Sequence, residues 1–287
     1  MKKINETRSA VVTGAGSGLG FATAKMLKQQ GWKVFGTIIQ SQSDEELKKL
    51  GITPIVVDIA NYHSTDAARD FVAEKLGDRG LSALINVAGQ AGVGSGVIEG
   101  VPPERVKIMF DTNITGTLNM IRSFLPLLRQ YGPARVVNVS SSGVRVPAVF
   151  TSIYSITKYA IEGITNSLRY EMIPFGIQAT SIEPGGMKTP MTANSKEAAE
   201  RTWAYQLPGI KEIYYPKIGQ SLDFINSMIK TASEPEVVAK VIVKALNAKK
   251  MKIRYLAGPT VLMMGPMQRI LGENRFEALM AKMQKLK

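Results

Sequence analysis

The sequence predicts an α/β fold, a doubly wound parallel sheet with helices on both faces, and three observations carry that prediction. Short β-branched runs alternate with longer stretches of helical period along the chain. The runs are continuously apolar, as strands must be when helices cover both of their faces. A cluster of glycines stands where the first strand gives way to the first helix.

Taken in order, the strand-like runs are 10–13, 33–39, 53–58, 83–86, 135–140, 178–182 and 253–256. Between them the period becomes helical, at 19–30, 44–50, 65–76, 103–110, 114–131, 153–173 and 234–247. One further helix is expected in the tail, where Phe276, Leu279, Met280 and Met283 recur at helical spacing. Residues 190–232 show no clear period and carry Trp203, Tyr205, Pro208, Tyr214, Tyr215, Pro216 and Phe224. An irregular insertion of that length reads as a lid or binding loop. With no internal repeat and no low-complexity linker, a single domain is expected over 1–287: a core at 1–189, an apolar loop at 190–232, and a last helix, last strand and basic helical tail at 233–287.

With one histidine, His63, and no cysteine, the chain has no Cys/His zinc cage, no Ser-His-Asp triad and no disulfide framework. Its chemistry must come from Tyr, Lys, Asp, Glu, Ser or a bound cofactor. The charge is unbalanced, 36 Lys+Arg against 23 Asp+Glu for a net +13, and residues 249–287 hold +7 of it. A basic segment can meet an anionic membrane, another subunit or only water. No nucleic-acid motif accompanies it, so no nucleic-acid partner is expected. Neither a secretory signal nor a membrane span is read in the sequence, which together with the missing cysteines points to the cytoplasm, peripheral membrane contact through the tail being left open.

Thr13-Gly14-Ala15-Gly16-Ser17-Gly18-Leu19-Gly20 forms the first strand-to-helix turn. Glycines there let the backbone turn sharply and approach a pyrophosphate, which the helix N-terminus meets with unpaired N–H groups. The spacing is not that of a P-loop, since no Gly-Lys-Ser/Thr follows. Tyr154 and Lys158 stand four residues apart, on one face of a helix. Ser141 precedes Tyr154 by thirteen residues, at the end of a strand, where open α/β sheets place their ligands. An ammonium beside a phenol favours the phenolate. Tyr154 can then exchange a proton with an alcohol or carbonyl oxygen that Ser141 orients.

Together with Asn86-Val87-Ala88-Gly89, Asn113 and Pro184-Gly185-x-x-x-Thr189, these motifs resemble the short-chain dehydrogenase/reductase family, in its order and spacing over nearly the first two hundred residues. The resemblance implies a Rossmann-like, seven-stranded parallel sheet that binds NAD or NADP, and an oxidoreductase. It implies Tyr154 as acid/base, Lys158 lowering its pKa and holding the nicotinamide ribose, Ser141 fixing the substrate oxygen, and Asn113 keeping a relay water in place. Gly14, Ser17, Gly18, Leu19 and Gly20 would follow the pyrophosphate, with Asp58 and Ile59 at the adenine. Asn86, Ala88 and Gly89 would line the adenosine side, and Pro184, Gly185, Met187 and Thr189 the nicotinamide end. The family's helices corresponding to 114–131 and 153–173 commonly pair between subunits, implying a homodimer or homotetramer.

Three features depart from the family pattern. Val87 replaces a second Asn. Ser140, Ser141 and Ser142 are consecutive, and Ser141 is chosen on its spacing to Tyr154. Near the end of the second strand there is neither the acid by Ile38 that would bind a ribose 2′-hydroxyl nor the Arg or Lys by Ser17 or Ile39 that would bind a 2′-phosphate. A hydroxyl loses less without its partner than a phosphate loses without a cation, so the residues favour NAD and leave NADP open.

The stretches 181–189 and 124–129 are similar to the retinol and hydroxysteroid dehydrogenase branch, which implies a small lipophilic alcohol or ketone. The loop residues Met191, Trp203, Leu207 and Phe224 suit an apolar pocket. Two other readings compete. One is reduction of a carrier-bound 3-oxoacyl chain, whose acidic carrier would meet the cationic surface. The other is a non-catalytic dinucleotide-binding protein at a membrane, against which the complete Asn113, Ser141, Tyr154 and Lys158 set stands.

Overall fold

A computed structural model describes residues 7–40, 42–92, 96–146, 148–188 and 202–286. Among these, seven parallel strands form one sheet in the order β3-β2-β1-β4-β5-β6-β7. The strands are β1 (Ser9–Val12), β2 (Lys33–Ile38), β3 (Thr53–Val56), β4 (Ala83–Asn86), β5 (Arg135–Val139), β6 (Gln178–Pro184) and β7 (Arg254–Ala257). The helices that connect and flank them are α1 (Gly18–Gln29), α2 (Glu45–Lys49), α3 (Tyr62–Leu76), α4 (Pro103–Phe110), α5 (Gly116–Tyr131), α6 (Ser152–Glu171), α7 (Ile210–Ile218), α8 (Ser221–Lys230), α9 (Pro235–Asn247), α10 (Pro259–Leu271) and α11 (Glu273–Met283).

Successive residues of the central strands β1 and β4 feed opposite cores, which is why their apolar runs are continuous. On one face Ala10 and Val12 of β1 and Ile85 of β4 pack with Leu27 of α1 and Ile242 of α9. On the other, Val11 and Leu84 pack with Val72 of α3, Phe124 of α5 and Leu168 of α6. Each large side chain fully buried in this way contributes about 1.5–3 kcal/mol. α1 and α9, far apart in sequence, lie against each other on their shared face.

The chain builds β1, β2 and β3 outward, then returns to lay β4 on the other side of β1. The order therefore reverses between β1 and β4, and a crevice opens there at the carboxyl ends of the strands.

Several boundaries differ from expectation for local reasons. α3 begins at Tyr62 instead of 65 because the Asn61 side chain caps it, accepting from the His63 N–H at 3.0 Å. The 190–232 insertion holds α7 and α8 within its described part, each too short for its period to stand out. The tail forms two helices instead of one, separated at Gly272, whose φ of 72° ends α10 and starts α11. α10 packs along β7, the edge strand. Phe276 and Met280 of α11 fold onto Met264 of α10 and onto Val146. Among the described residues no helix is long and apolar enough to cross a membrane.

Candidate active site

The crevice is a cavity of about 350 Å³. One end is the glycine turn. Gly14 adopts a φ of 66°, its N–H donates to Thr37 Oγ1 at 3.3 Å, and Thr13 Oγ1 accepts from the N–H groups of Val87 and Ala88, each at 2.9 Å. A Cβ on Gly20 would lie 2.1 Å from the Gly14 carbonyl oxygen, so only glycine lets α1 start this close to β1. Ser17 precedes α1 without using its side chain as a cap, which leaves the first N–H groups of the helix for a ligand. A cradle of backbone N–H groups at the start of α1 fits the pyrophosphate of a dinucleotide.

Gly14, Ser17, Gly18, Leu19 and Gly20 line this end, and Asp58 and Ile59 stand beside it. The Asp58 carboxylate is already held, accepting from the Ala60 N–H at 3.0 Å. Ala88 and Gly89 also line the cavity. Asn86 is not among its walls. As the last residue of β4 it turns inward, where its Nδ2 donates to Asn138 Oδ1 at 2.8 Å, and Val87 takes the lining position. Pro184, Gly185 and Met187 form the far end, with the Gly185 N–H donating to the Ala257 carbonyl at 2.8 Å. Thr189 and Met191 lie outside the described residues.

Tyr154 and Lys158 occupy successive turns of α6, with Lys158 Nζ 5.5 Å from the centre of the Tyr154 ring. Both line the cavity. Lys158 is buried and donates to the Val139 carbonyl at 3.0 Å. Geometry separates the three serines. The Ser140 hydroxyl donates to the Lys158 carbonyl at 3.3 Å, Ser142 turns into the interior, and Ser141 hydrogen-bonds the Tyr154 phenol. Ser141 also starts the short 3₁₀ turn Ser142–Val144, its Oγ accepting from the Gly143 N–H at 3.1 Å.

Asn113 sits behind the cavity wall in a π-helical turn, Asp111–Thr115, that joins α4 to α5. Its Oδ1 accepts from the Gln90 N–H at 2.7 Å, and its Nδ2 donates to the Gln90 carbonyl at 2.8 Å and to Thr157 Oγ1 at 3.0 Å. The amide is thus a tie between the chain after β4 and the catalytic face of α6. An extra residue in a helical turn is a common device for aiming a side chain at such a place.

Burial governs the titration of the pair. It pushes the Tyr154 phenol up, against the Ser141 hydrogen bond, which pulls it down. It lowers Lys158 to about 8. The expected downward pull of the ammonium on the phenol is outweighed here, because Nζ turns to the Val139 carbonyl and the phenolate would be desolvated.

Sequence reasoning missed two lining residues near the end of β2, Thr37 and Gln42. Gln42 folds back so that its Oε1 accepts from the Ile39 N–H at 3.3 Å, and a Cβ on Gly16 would lie 2.5 Å from that oxygen. An amide therefore stands where an acid or a cation was sought. Nothing in the local pattern marks it, since the contact depends on how the chain leaves the strand.

The family model for short chain dehydrogenases matches residues 8–200. The chain is 34% identical over 260 residues to 17-beta-hydroxysteroid dehydrogenase type 6 of Rattus norvegicus, covering 86% of this chain and 79% of that one. It is 31% identical over 251 residues to 3-ketodihydrosphingosine reductase of Bacteroides thetaiotaomicron, covering 88% of each. In structure it is similar to actinorhodin polyketide ketoreductase solved with NADPH, at a TM-score of 0.71 and 25% identity over 87% of this chain and 95% of that one. By fold, glycine turn and relatives alike, the chain belongs to the short-chain dehydrogenase/reductase family of NAD(P)-dependent oxidoreductases.

Proposed function

We propose that this enzyme moves a hydride between a nicotinamide and the carbonyl or carbinol carbon of a small lipophilic ketone or secondary alcohol, with Tyr154 as acid and base. The observation that carries the reading is the contact of the Tyr154 phenol with Ser141 in a cavity whose other end is the glycine cradle. When bound, the nicotinamide supplies or accepts the hydride. In reduction the Tyr154 hydroxyl donates its proton to the carbonyl oxygen, and the Ser141 hydroxyl donates a hydrogen bond to that same oxygen. Lys158, protonated below about 8, places positive charge beside the phenolate that is left. Asn113 braces Gln90 against α6, and from there would keep a relay water in place.

The likeness to 17-beta-hydroxysteroid dehydrogenase type 6 supports a lipophilic substrate. Near the first turn of α6, Phe150 and Trp203 meet edge to face at 5.1 Å and pack with Val97 and Ile210 as a buried apolar cluster. The likeness to 3-ketodihydrosphingosine reductase favours a second reading, a 3-oxo group on a long chain. For the cofactor we favour NAD, since Gln42 offers no cation to a 2′-phosphate. Initial rates with NADH and NADPH across steroid, retinoid, aryl and carrier-bound 3-oxoacyl ketones test all three points. Free apolar ketones are expected to react at rates insensitive to salt. Turnover confined to carrier-linked chains, with a KM that climbs steeply with salt, would overturn the lipophilic reading.

We propose that subunits pair through the outer faces of α5 and α6, where Leu118, Ile156 and Tyr159 are exposed. For a cytoplasmic enzyme with this tail we propose contact with an anionic lipid surface through α10. Its buried side carries Val261 and Met264, yet its solvent side carries Leu262, Met263 and Ile270, the last 82% exposed. A surface helix ordinarily turns polar residues outward. The net +7 of residues 249–287 favours anionic lipid over a second equally basic copy. Cosedimentation with anionic liposomes is expected, and a Met263→Glu/Ile270→Glu variant should remain in solution. Equal sedimentation of the variant would remove the proposal.

A further inference from the structure

Behind the catalytic cavity a second cleft, of about 730 Å³, runs between α6 and α10, and its walls include Arg145, Glu162, Glu183 and Arg254. Glu183 is fully buried at the end of β6, directly before Pro184 and Gly185. A carboxylate in that position must have its charge paired. Arg145 grips it with two nitrogens, Nε donating to Oε2 and Nη2 to Oε1 at 3.0 Å. Arg254 Nε stands 3.5 Å from Glu183 Oε1 and donates to Glu162 Oε2 at 2.6 Å. The Ser181 hydroxyl donates to the same Glu162 oxygen at 3.0 Å.

Arg145, Glu162 and Glu183 are each close in sequence to one wall of the active site. Arg145 follows the 3₁₀ turn that Ser141 starts. Glu162 lies one turn beyond Lys158 on α6. Glu183 leads into the Pro184–Met187 end of the cavity, and Arg254 opens β7. We infer that this network of two arginines and two glutamates, centred on Glu183, positions Ser141 against Tyr154 for proton transfer. The inference rests on the assignment of Tyr154 and Ser141 made above.

Two positive and two negative charges cancel, so the network adds little net field at the phenol. What it fixes is distance. A buried ion pair is also a poor source of stability compared with packed apolar side chains, whereas its forked geometry holds two elements in one orientation. The residues are positioning residues: none of them lines the cavity that holds the phenol.

The test compares Arg145→Lys, which keeps the charge and loses the fork, with Arg145→Leu/Glu183→Leu, which removes both charges together. The readouts are kcat at saturating NADH for whichever panel ketone is reduced fastest, the Kd for ADP-ribose, and the melting temperature. Both variants are expected to lose about 10- to 100-fold in kcat while ADP-ribose affinity and melting temperature stay near wild type. A kcat within about twofold of wild type in both overturns the inference, as does a loss that merely tracks lower melting temperature and weaker ADP-ribose binding. Tyr154→Phe is run beside them. If it is inactive while the network variants are active, positioning alone fails; if it is active, the assignment of the site fails with it.

Discussion

Replacing Tyr154 by Phe is expected to lower kcat for ketone reduction by about 10²- to 10⁴-fold, the usual worth of a positioned acid or base. The ring is retained, so its packing against Ile153, Met109 and Val101 survives. Only the hydrogen bond with Ser141 is lost, which costs about 1 kcal/mol of stability. Cofactor affinity should hardly move, because the glycine cradle is untouched. That combination, an unchanged Kd with a collapsed kcat, marks an interaction made in the transition state. The pH dependence has a definite sign. Reduction needs the phenol protonated and oxidation needs it ionised, so reduction falls and oxidation rises as pH passes through its titration. Burial raises that phenol, so in the absence of ligands the protonated, reducing form persists to higher pH than for a free tyrosine. A purified variant that kept its reductase rate would sink the mechanism.

Gly20→Ala carries the second large effect. The added Cβ would sit 2.1 Å from the Gly14 carbonyl oxygen, 2.6 Å from its carbon and 3.0 Å from the Ala15 nitrogen. All three are backbone atoms, so no side chain can step aside. The turn itself must shift, and it is held by bonds from the Gly14 N–H to Thr37 Oγ1 and from the Ala15 N–H to the Thr37 carbonyl. Forcing extra volume into such a place costs about 1–3 kcal/mol. Since the strained atoms are the cradle, the cost is expected in both thermal stability and NADH affinity, read by melting and by fluorescence titration. Gly163→Ala on α6 is the control. A Cβ there meets nothing within 4 Å, so the same change should leave NADH affinity at wild type and should not lower thermal stability, alanine being the better helix former.

Much of this site was legible because it depends on short-range order. Glycine spacing at a strand-to-helix turn, and Tyr154 and Lys158 four residues apart on a helix, are local patterns that survive without knowledge of the fold. The uninterrupted apolar strands likewise announced a sheet covered on both faces. What could not be read depends on where a side chain finally points. Asn86 looked like a cofactor contact, yet strand alternation turns it to Asn138. Gln42 belongs to no motif and reaches Gly16 only because the chain doubles back after β2. The raised phenol reflects burial, a property of the assembled molecule, while the sequence offered only the neighbouring ammonium. Phe276 and Met280 had the right helical spacing, but only the structure distinguishes their protein-facing stripe from the exposed stripe on α10.

The packing of α9 against α1 bears on how the molecule comes into being. Leu27 on α1 shares its core with Val238, Ile242 and Leu246, which are more than two hundred residues away. As the chain emerges from the ribosome, the helix that starts the cofactor cradle must therefore wait for residues 235–247 before one of its apolar faces is covered. Contacts of such separation form late and leave sticky surface open in the meantime. The glycine turn and its helix are thus not a portable nucleotide-binding cassette. A chain cut before α9 would present Leu27 and its neighbours to chaperones and proteases, and would have no settled cradle to offer a dinucleotide.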